Sequence, residues 1–373
     1  MPLATQCLFA QDAAPEKPTD AHLFPISFGE KIHPPTMPPR TISIPNVDEY
    51  KVLKGDFHIH TLFSDGRVMP KDRVLEAVDN GFDVISITDH IEYRPFIGRD
   101  KLKLAENNDD HNASYDNAKP EADKHKLLLV RGAEITKPEW HFNVLFVKDI
   151  NPIAAAVDDW TKMIAVAVEQ GGFVQWNHPS WIDRTPDDAP FGLKKGEPMR
   201  FFDEIEGIRK KGHLHGIEVF SNSACLYNAI AHDWCNERDL VVMSNTDIHP
   251  SELERFGRQN LLRPMTLVLA KERTLESIQE AFFAKRTVGW AANMILGRNP
   301  WVEKLFRSCV GIEKSVTGVT LRNRSDIPCV VEASDKTSEL PAKGTVEIRD
   351  VSAKKLTVSK WFVGMNKPLE IIF

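Results

Sequence analysis

The sequence predicts a distorted α/β barrel followed by a small all-β block, and three observations carry that prediction. From Gly55 to about residue 285, strand-like runs alternate with helix-like runs. Repeated strand-then-helix order calls for parallel strands covered by helices, in either an open doubly wound sheet or a barrel. Second, His60, Asp89-His90, Glu134, His178 and Asp247-His249 each fall at or just past the end of a strand-like run. A ring of functional groups at the carboxyl ends of strands is what a barrel provides, so the barrel is the choice. Third, beyond Pro300 the texture changes to short strand-like runs separated by turns.

Taken in order, residues 1–45 read as a tail and linker. Pro2 to Ala10 is a short apolar run followed by Gln11-Asp12-Ala13-Ala14-Pro15, the pattern of a secretory signal near its cleavage point, but without a basic n-region. An extended tail fits as well; export to a periplasmic or extracellular space is expected over a cytoplasmic location. Eight prolines between residues 12 and 45 then argue for an extended linker. Strands are expected at Asp56–His60, Asp83–Thr88, Lys126–Glu134, His141–Val147, Gly172–Asn177, His215–Phe220, Leu240–Asn245 and Met265–Leu269. Helices are expected at Pro70–Asn80, Ile153–Gln170, Met199–Lys211, Ala224–Arg238 and Thr274–Lys285, with Pro70 at a start and Gly81 just past an end. Residues 100–126 are long and polar for a βα connection and read as a cap over the site. The short runs at Gly318–Leu321, Cys329–Glu332, Thr345–Ile348, Lys355–Val358 and Leu369–Phe373 predict a sandwich-like antiparallel domain. The expected partition is therefore residues 1–45, 46–298 and 310–373.

Composition narrows the function classes. With 42% hydrophobic and 27% charged residues the chain has the make-up of a globular protein. A formal net charge of −6 offers no basic excess to release counterions from a nucleic acid, so such a partner is not expected. No apolar run approaches the roughly 20 residues of a membrane helix. Cys7, Cys225, Cys235, Cys309 and Cys329 are scattered without a C-x-x-C pair, which reads as free thiols.

The chemistry begins at Asp56-Phe57-His58-Ile59-His60, where alternation sends both imidazoles to one side, followed by the turn Ser64-Asp65-Gly66. Downstream stand Thr88-Asp89-His90, Gly132-Ala133-Glu134, His141-Phe142-Asn143-Val144, Asn177-His178-Pro179 and Asp247-Ile248-His249. Six imidazoles and three carboxylates exceed the three or four protein ligands that one ion needs, and an all-nitrogen-and-oxygen set suits Zn, Mn or Fe. His141 is out of pattern, at the start of its strand.

In that order the motifs resemble the PHP (polymerase and histidinol phosphatase) family over roughly residues 50–290. The resemblance implies a TIM-like (β/α)7 barrel, a trinuclear metal centre and phosphoester hydrolysis through a metal-bridging hydroxide. Carried over residue by residue, it implies His58, His60, Glu134 and Asp247 on the first metal. Glu134 bridges to a second held by His141 and His178, and Asp65, His90 and His249 hold a third. Some members have histidine at the position of Asp65. The extra β domain resembles the branch that includes phosphodiesterases of small organic diesters. Asp247 is the candidate proton acceptor, and Asp89 is expected to orient an imidazole. Arg67 and Lys137 lead the candidates for gripping phosphate, ahead of Arg94, Arg99 and Arg184. Glu218 is either a partner behind a ligand or a structural acid, and His215 reads as packing. The reading is a small-molecule phosphodiesterase; a phosphomonoesterase, a metal-binding scaffold and a short-oligonucleotide exonuclease are the alternatives.

Overall fold

The computed structural model describes residues 41–98, 103–136, 140–179, 200–222, 226–316, 318–333, 336–349 and 355–372. Strands β1 (Lys51–Asp56), β2 (Val84–Ile87) and β3 (Leu128–Ile135) lie side by side and parallel. β4 (Phe142–Leu145) runs antiparallel to β3 and to β5 (Phe173–Trp176). Parallel pairing resumes with β6 (Gly216–Ser221), which carries the two-residue β7 (Leu226–Tyr227) and pairs with β8 (Val241–Asn245). The ring closes where the chain leaving β8 meets the chain leaving β1. There Asp247 N donates to His58 O at 2.9 Å and His60 N to Ile248 O at 3.1 Å, around the isolated bridge between Ile59 and Ile248. The result is the expected distorted seven-stranded barrel.

β9 (Met265–Ala270) then runs back antiparallel along β1 and leads through β10 (Thr287–Ala291) to β11 (Met294–Gly297). Its Thr266 hydroxyl accepts from Ser244 N at 2.9 Å, tying it across to β8. The helices that cover the barrel begin with α1 (Pro70–Asp79) and α2 (Ala113–His125). They continue as α3 (Asn151–Ala154), α4 (Trp160–Glu169), α5 (Asp203–Lys210), α6 (Ala229–Glu237), α7 (Glu252–Arg255) and α8 (Leu275–Phe283). Side chains of Asp159, Asn228 and Thr274 cap α4, α6 and α8, accepting from backbone N–H groups of the first turn.

Several expectations shift, each for a physical reason. The first strand lies earlier than read: the ladder to β9 runs from Lys51 to Gly55, and its lysines had masked it. Past Asp56 the segment stays extended because side-chain amides replace the ladder, with Phe57 N donating to Asn245 Oδ1 at 3.1 Å and Asn143 Nδ2 to Phe57 O at 2.9 Å. The single helix expected over 153–170 is two, divided at the Asp159 cap. Residues 113–125 are not a cap over the site but a barrel helix, burying Ser114, Ala118 and Ala122 at helical spacing. Small buried residues and an internal Pro120 gave it almost no apolar signature. A helix after the barrel, α9 (Asn299–Cys309), was also missed, although Val302, Leu305, Phe306 and Cys309 form its buried stripe.

Beyond α9, β12 (Val310–Ser315), β13 (Gly318–Asn323) and, later in the chain, β16 (Thr345–Arg349) form an antiparallel sheet. β14 (Cys329–Ala333), β15 (Lys336–Leu340), β17 (Lys355–Phe362) and β18 (Pro368–Ile372) form the other antiparallel group. Val319, Leu321, Val331, Leu340, Ile348, Leu356, Val358 and Leu369 are buried in one apolar cluster that joins the two groups, a sandwich-like arrangement. β17 also pairs in parallel with β11, Ile295 opposite Trp361 and Leu296 opposite Phe362, so this sheet continues the barrel's. No helix among the described residues is long and apolar enough to cross a membrane.

Candidate metal centre

One mouth of the barrel collects the chemistry. His58 and His60 follow β1, His90 follows β2, Glu134 lies near the end of β3, His178 follows β5, and Asp247 and His249 follow β8. The exception resolves itself: β4 is reversed, with Ile135 paired to Phe142, so its start sits beside the end of β3 and delivers His141 to the same mouth. Asp65 is folded back by the turn after His60. A Cβ on Gly66 would lie 2.5 Å from the backbone of His60 and Thr61, so only glycine allows that close approach.

The distances show three overlapping groups. His58 Nε2 is 3.4 Å from Glu134 Oε2 and 3.2 Å from Asp247 Oδ1; His60 Nε2 is 3.2 and 3.1 Å from the same two atoms. The other oxygen of Glu134, Oε1, faces His141 Nδ1 at 3.2 Å and His178 Nε2 at 3.7 Å. Asp65 Oδ1 lies 3.3 Å from His249 Nε2 and 3.5 Å from His90 Nε2. His90 also turns Nδ1 to Glu134 Oε2 at 3.1 Å.

These donors fit divalent ions. His58 Nε2, His60 Nε2, His90 Nδ1 and Glu134 Oε2 are buried without a hydrogen-bond partner, although they crowd within 3.1–3.4 Å of one another's groups. For His58 Nε2, His60 Nε2 and Glu134 Oε2, lone pairs aimed at a shared point rather than at a proton explain both facts. His90 faces Glu134 through Nδ1 and Asp65 through Nε2 and can offer a lone pair from only one of them. Donor atoms each about 2.1 Å from one ion sit about 3.0 Å apart in octahedral and about 3.4 Å apart in tetrahedral geometry. Burial without such an ion would leave polar atoms unsatisfied at a cost of about 1–3 kcal/mol each.

A buried polar layer beneath the mouth orients the ligands. Glu218 Oε1 contacts His58 Nδ1 at 3.1 Å and Oε2 accepts from His178 N at 3.1 Å. Asn177 Nδ2 donates to Glu134 Oε1 at 2.8 Å and to Asn143 Oδ1 at 2.9 Å. Asp89 does not touch an imidazole directly. It accepts from Thr61 N and Oγ1 at 2.6 Å, Ser64 Oγ at 2.7 Å and Ser114 Oγ at 2.5 Å. Ser64 Oγ is in turn 3.3 Å from His60 Nδ1, so Asp89 acts through the loop. Asp247 and His178 hold positive φ, 53° and 25°, backbone conformations that cost about 1–3 kcal/mol and cluster at functional sites.

Burial by itself lowers the affinity of His58 for a proton, but Asp247, Glu218 and Glu134 around it raise it well above the usual value. The reverse holds for Glu134, where burial is overridden by His58, His90 and His141, and for Asp247, overridden by His58 and His249. The carboxylates are thus held ionised as acceptor-only groups. Because Glu218 fixes the His58 ring, Glu218→Gln is expected to lower metal affinity about 10–100-fold, measured by competition with a chromophoric chelator.

A solved two-domain protein from Bacteroides vulgatus, described as containing a predicted PHP-like metal-dependent phosphoesterase, matches with a TM-score of 0.78 and 31% identity, covering 89% of this chain and 98% of its own. The chain belongs to the PHP-like metal-dependent phosphoesterases. A candidate metal-dependent phosphoesterase from Bifidobacterium adolescentis matches more loosely, with a TM-score of 0.39, 16% identity and coverage of 52% of this chain and 87% of its own. No family model and no curated protein sequence matches the chain.

In this PHP-like phosphoesterase the expected phosphate-gripping cations are placed unevenly. Arg67 is exposed, its guanidinium 3.8 Å from Glu254, while its backbone N–H donates to His249 O at 2.8 Å. Arg94 donates to the carbonyls of Phe63, Asn108 and Asp110, which fixes a loop. Lys137, Arg99 and Arg184 lie outside the described residues, as do Trp181, Cys7 and Cys225. Trp176 is core, stacked on Trp234, and Cys235, Cys309 and Cys329 are buried free thiols.

His215 lies away from the mouth, at the start of β6, with Nδ1 accepting from Val174 N at 2.9 Å. Burial lowers it to about 4. The unfolded chain therefore takes up a proton first as pH falls, and stability is full above about 6.5 and lost towards 4. His215→Gln, which keeps an acceptor but does not titrate, is expected to show a smaller drop in urea midpoint between pH 7.5 and 5 than the parent protein.

Sequence reasoning missed Arg73, Arg263 and Asp56. A lone arginine in an amphipathic helix or before a strand reads as surface, yet both guanidinium side chains are fully buried.

Proposed function

We propose that this PHP-like phosphoesterase hydrolyses small organic phosphodiesters at a trinuclear metal centre. The observation that carries the reading is Glu134, whose two oxygens face different donor sets: Oε2 faces His58, His60 and His90, and Oε1 faces His141 and His178. A carboxylate shared in this way suits adjoining ions. His58, His60, Glu134 and Asp247 would hold the first, Glu134, His141 and His178 the second, and Asp65, His90 and His249 the third. Zn, Mn or Fe bound there supplies Lewis acidity towards phosphoryl oxygens and a water acidic enough to ionise near neutral pH.

The chain's own residues do the rest. Three carboxylates among nine donors leave net positive charge at the mouth when ions are bound, which draws in an anionic phosphoester. Asp247, held ionised, is the group to take up a proton at its carboxylate. The diester is put ahead of a monoester because the appended β domain resembles the branch that includes phosphodiesterases of small organic diesters; the two-domain relative is matched over 98% of its own chain. Arg67 and Lys137 are the proposed phosphate contacts.

The test compares bis-p-nitrophenyl phosphate with p-nitrophenyl phosphate, each with added Mn or Zn and with chelator. Diester turnover abolished by chelator supports the proposal. Monoester turnover alone replaces it with a phosphomonoesterase, and turnover of neither points to a metal-binding scaffold. Degradation of a labelled oligonucleotide would instead indicate an exonuclease.

A further inference from the structure

We propose that Arg73 is a positioning residue that registers the His58-x-His60 segment against the Asp247-x-His249 segment and so sets metal affinity. The inference rests on the reading of these four side chains as metal ligands. The two segments meet at the barrel's seam, where the regular ladder has ended. Among the described residues, the backbone pairing that joins them directly is the bridge between Ile59 and Ile248 with its two flanking bonds. Past the ladder, Ile248 O already accepts from His60 N and His249 O from Arg67 N, but the buried His60 O would be left in a costly state unless another donor is supplied.

Arg73 is that donor. From the first turn of α1 its side chain enters the core with no exposed surface. Nε donates to His60 O at 3.0 Å, and Nη2 donates to Ile248 O at 3.3 Å and to His249 O at 2.8 Å. One planar group thus spans both ligand segments, in a fork that lysine cannot reproduce. Nη1 is anchored by Glu76 Oε2 at 2.7 Å, and Glu76 Oε1 accepts from Glu252 N at 2.8 Å, which fixes the start of α7.

A second arginine, just before β9, holds the same seam through Asp56 at the end of β1. Arg263 Nη2 donates to Asp56 Oδ2 at 2.5 Å, and Asp56 accepts from Thr246 Oγ1 at 2.6 Å and Thr246 N at 3.2 Å. Thr246 is therefore fixed immediately before Asp247, whose backbone turns left-handed. The seam needs both clamps, but only Arg73 reaches carbonyls of residues that carry ligands.

The experiment measures zinc and manganese affinity by chelator competition, and the urea midpoint of the metal-free protein, for Arg73→Lys and Glu76→Gln. Arg286→Lys is the control. Arg286 is another buried arginine that binds a strand carbonyl, Leu269 O at 3.0 Å, and pairs with Glu280. Leu269 is paired with Val52 near the start of β1, away from the mouth. Arg73→Lys is expected to lose about 10–100-fold in metal affinity, with Glu76→Gln losing less. Arg286→Lys should lower the metal-free midpoint and leave affinity unchanged. Should Arg73→Lys fail to fold, a loss of affinity in folded Glu76→Gln still supports the proposal, and wild-type affinity there overturns it. Wild-type affinity in folded Arg73→Lys overturns it as well, whatever its midpoint. A parent protein that binds neither ion overturns this inference together with the metal-centre reading, whereas intact binding without ester turnover touches only the proposed reaction.

Discussion

Asp247→Ala, His58→Ala and His90→Ala are each expected to lose at least about a hundredfold in hydrolytic rate, because each removes a donor that nothing nearby can replace. Asp247 should show the largest loss. Its Oδ1 faces His58 and His60 at 3.2 and 3.1 Å, and its Oδ2 faces His178 at 3.9 Å. Alanine there also removes the proposed proton acceptor and faces a φ of 53° without the local hydrogen bonding that lets aspartate tolerate it. Activity of the purified variants against the favoured ester, with metal content and far-ultraviolet circular dichroism measured alongside, checks the prediction. Near-normal turnover by any of the three in metal-free buffer would sink the ligand assignment.

Glu134→Gln should fall at least as far, for a different reason. The amide keeps shape and volume but exchanges one oxygen for a donor, so one of the two faces meets an N–H where the imidazoles present lone pairs. It also loses the charge that two adjoining cations would share. The expected result is about a hundredfold loss of rate or more, together with fewer ions bound per chain by elemental analysis. Loss of rate with full metal content would mean that Glu134 serves in the reaction and not as a bridge. Asn177 would be left facing the substituted group, since its Nδ2 donates to Glu134 Oε1 at 2.8 Å, and a small loss of stability is expected from that contact.

Much of the site was legible because its residue types are rare and ordered. Imidazoles and carboxylates at strand ends, in a fixed sequence of short motifs, point to one mouth, and the structure brings all nine side chains there. His141 shows the limit of that reasoning. Its place at the start of a strand contradicted the pattern only because strand direction cannot be read from hydrophobic alternation, and β4 is reversed. The supporting residues were hidden for another reason. Arg73, Arg263 and Asp56 matter through partners 13 to 207 positions away, and no local period records such pairings. Helices α2 and α9 were lost on opposite counts: α2 buries small residues, while the stripe of α9 was plain but lay where only strands were expected.

The parallel pairing of β11 with β17 has a practical consequence for anyone wishing to work with the hydrolase alone. Truncating the chain before the sandwich would strip the partner from β11 and uncover Leu296, Val302 and Phe306, all buried in the intact protein. A bare strand edge beside newly wetted apolar side chains is a template for aggregation. A shortened version is therefore expected to be recovered from inclusion bodies, and loss of activity in it would say nothing about whether the final strands touch the ester.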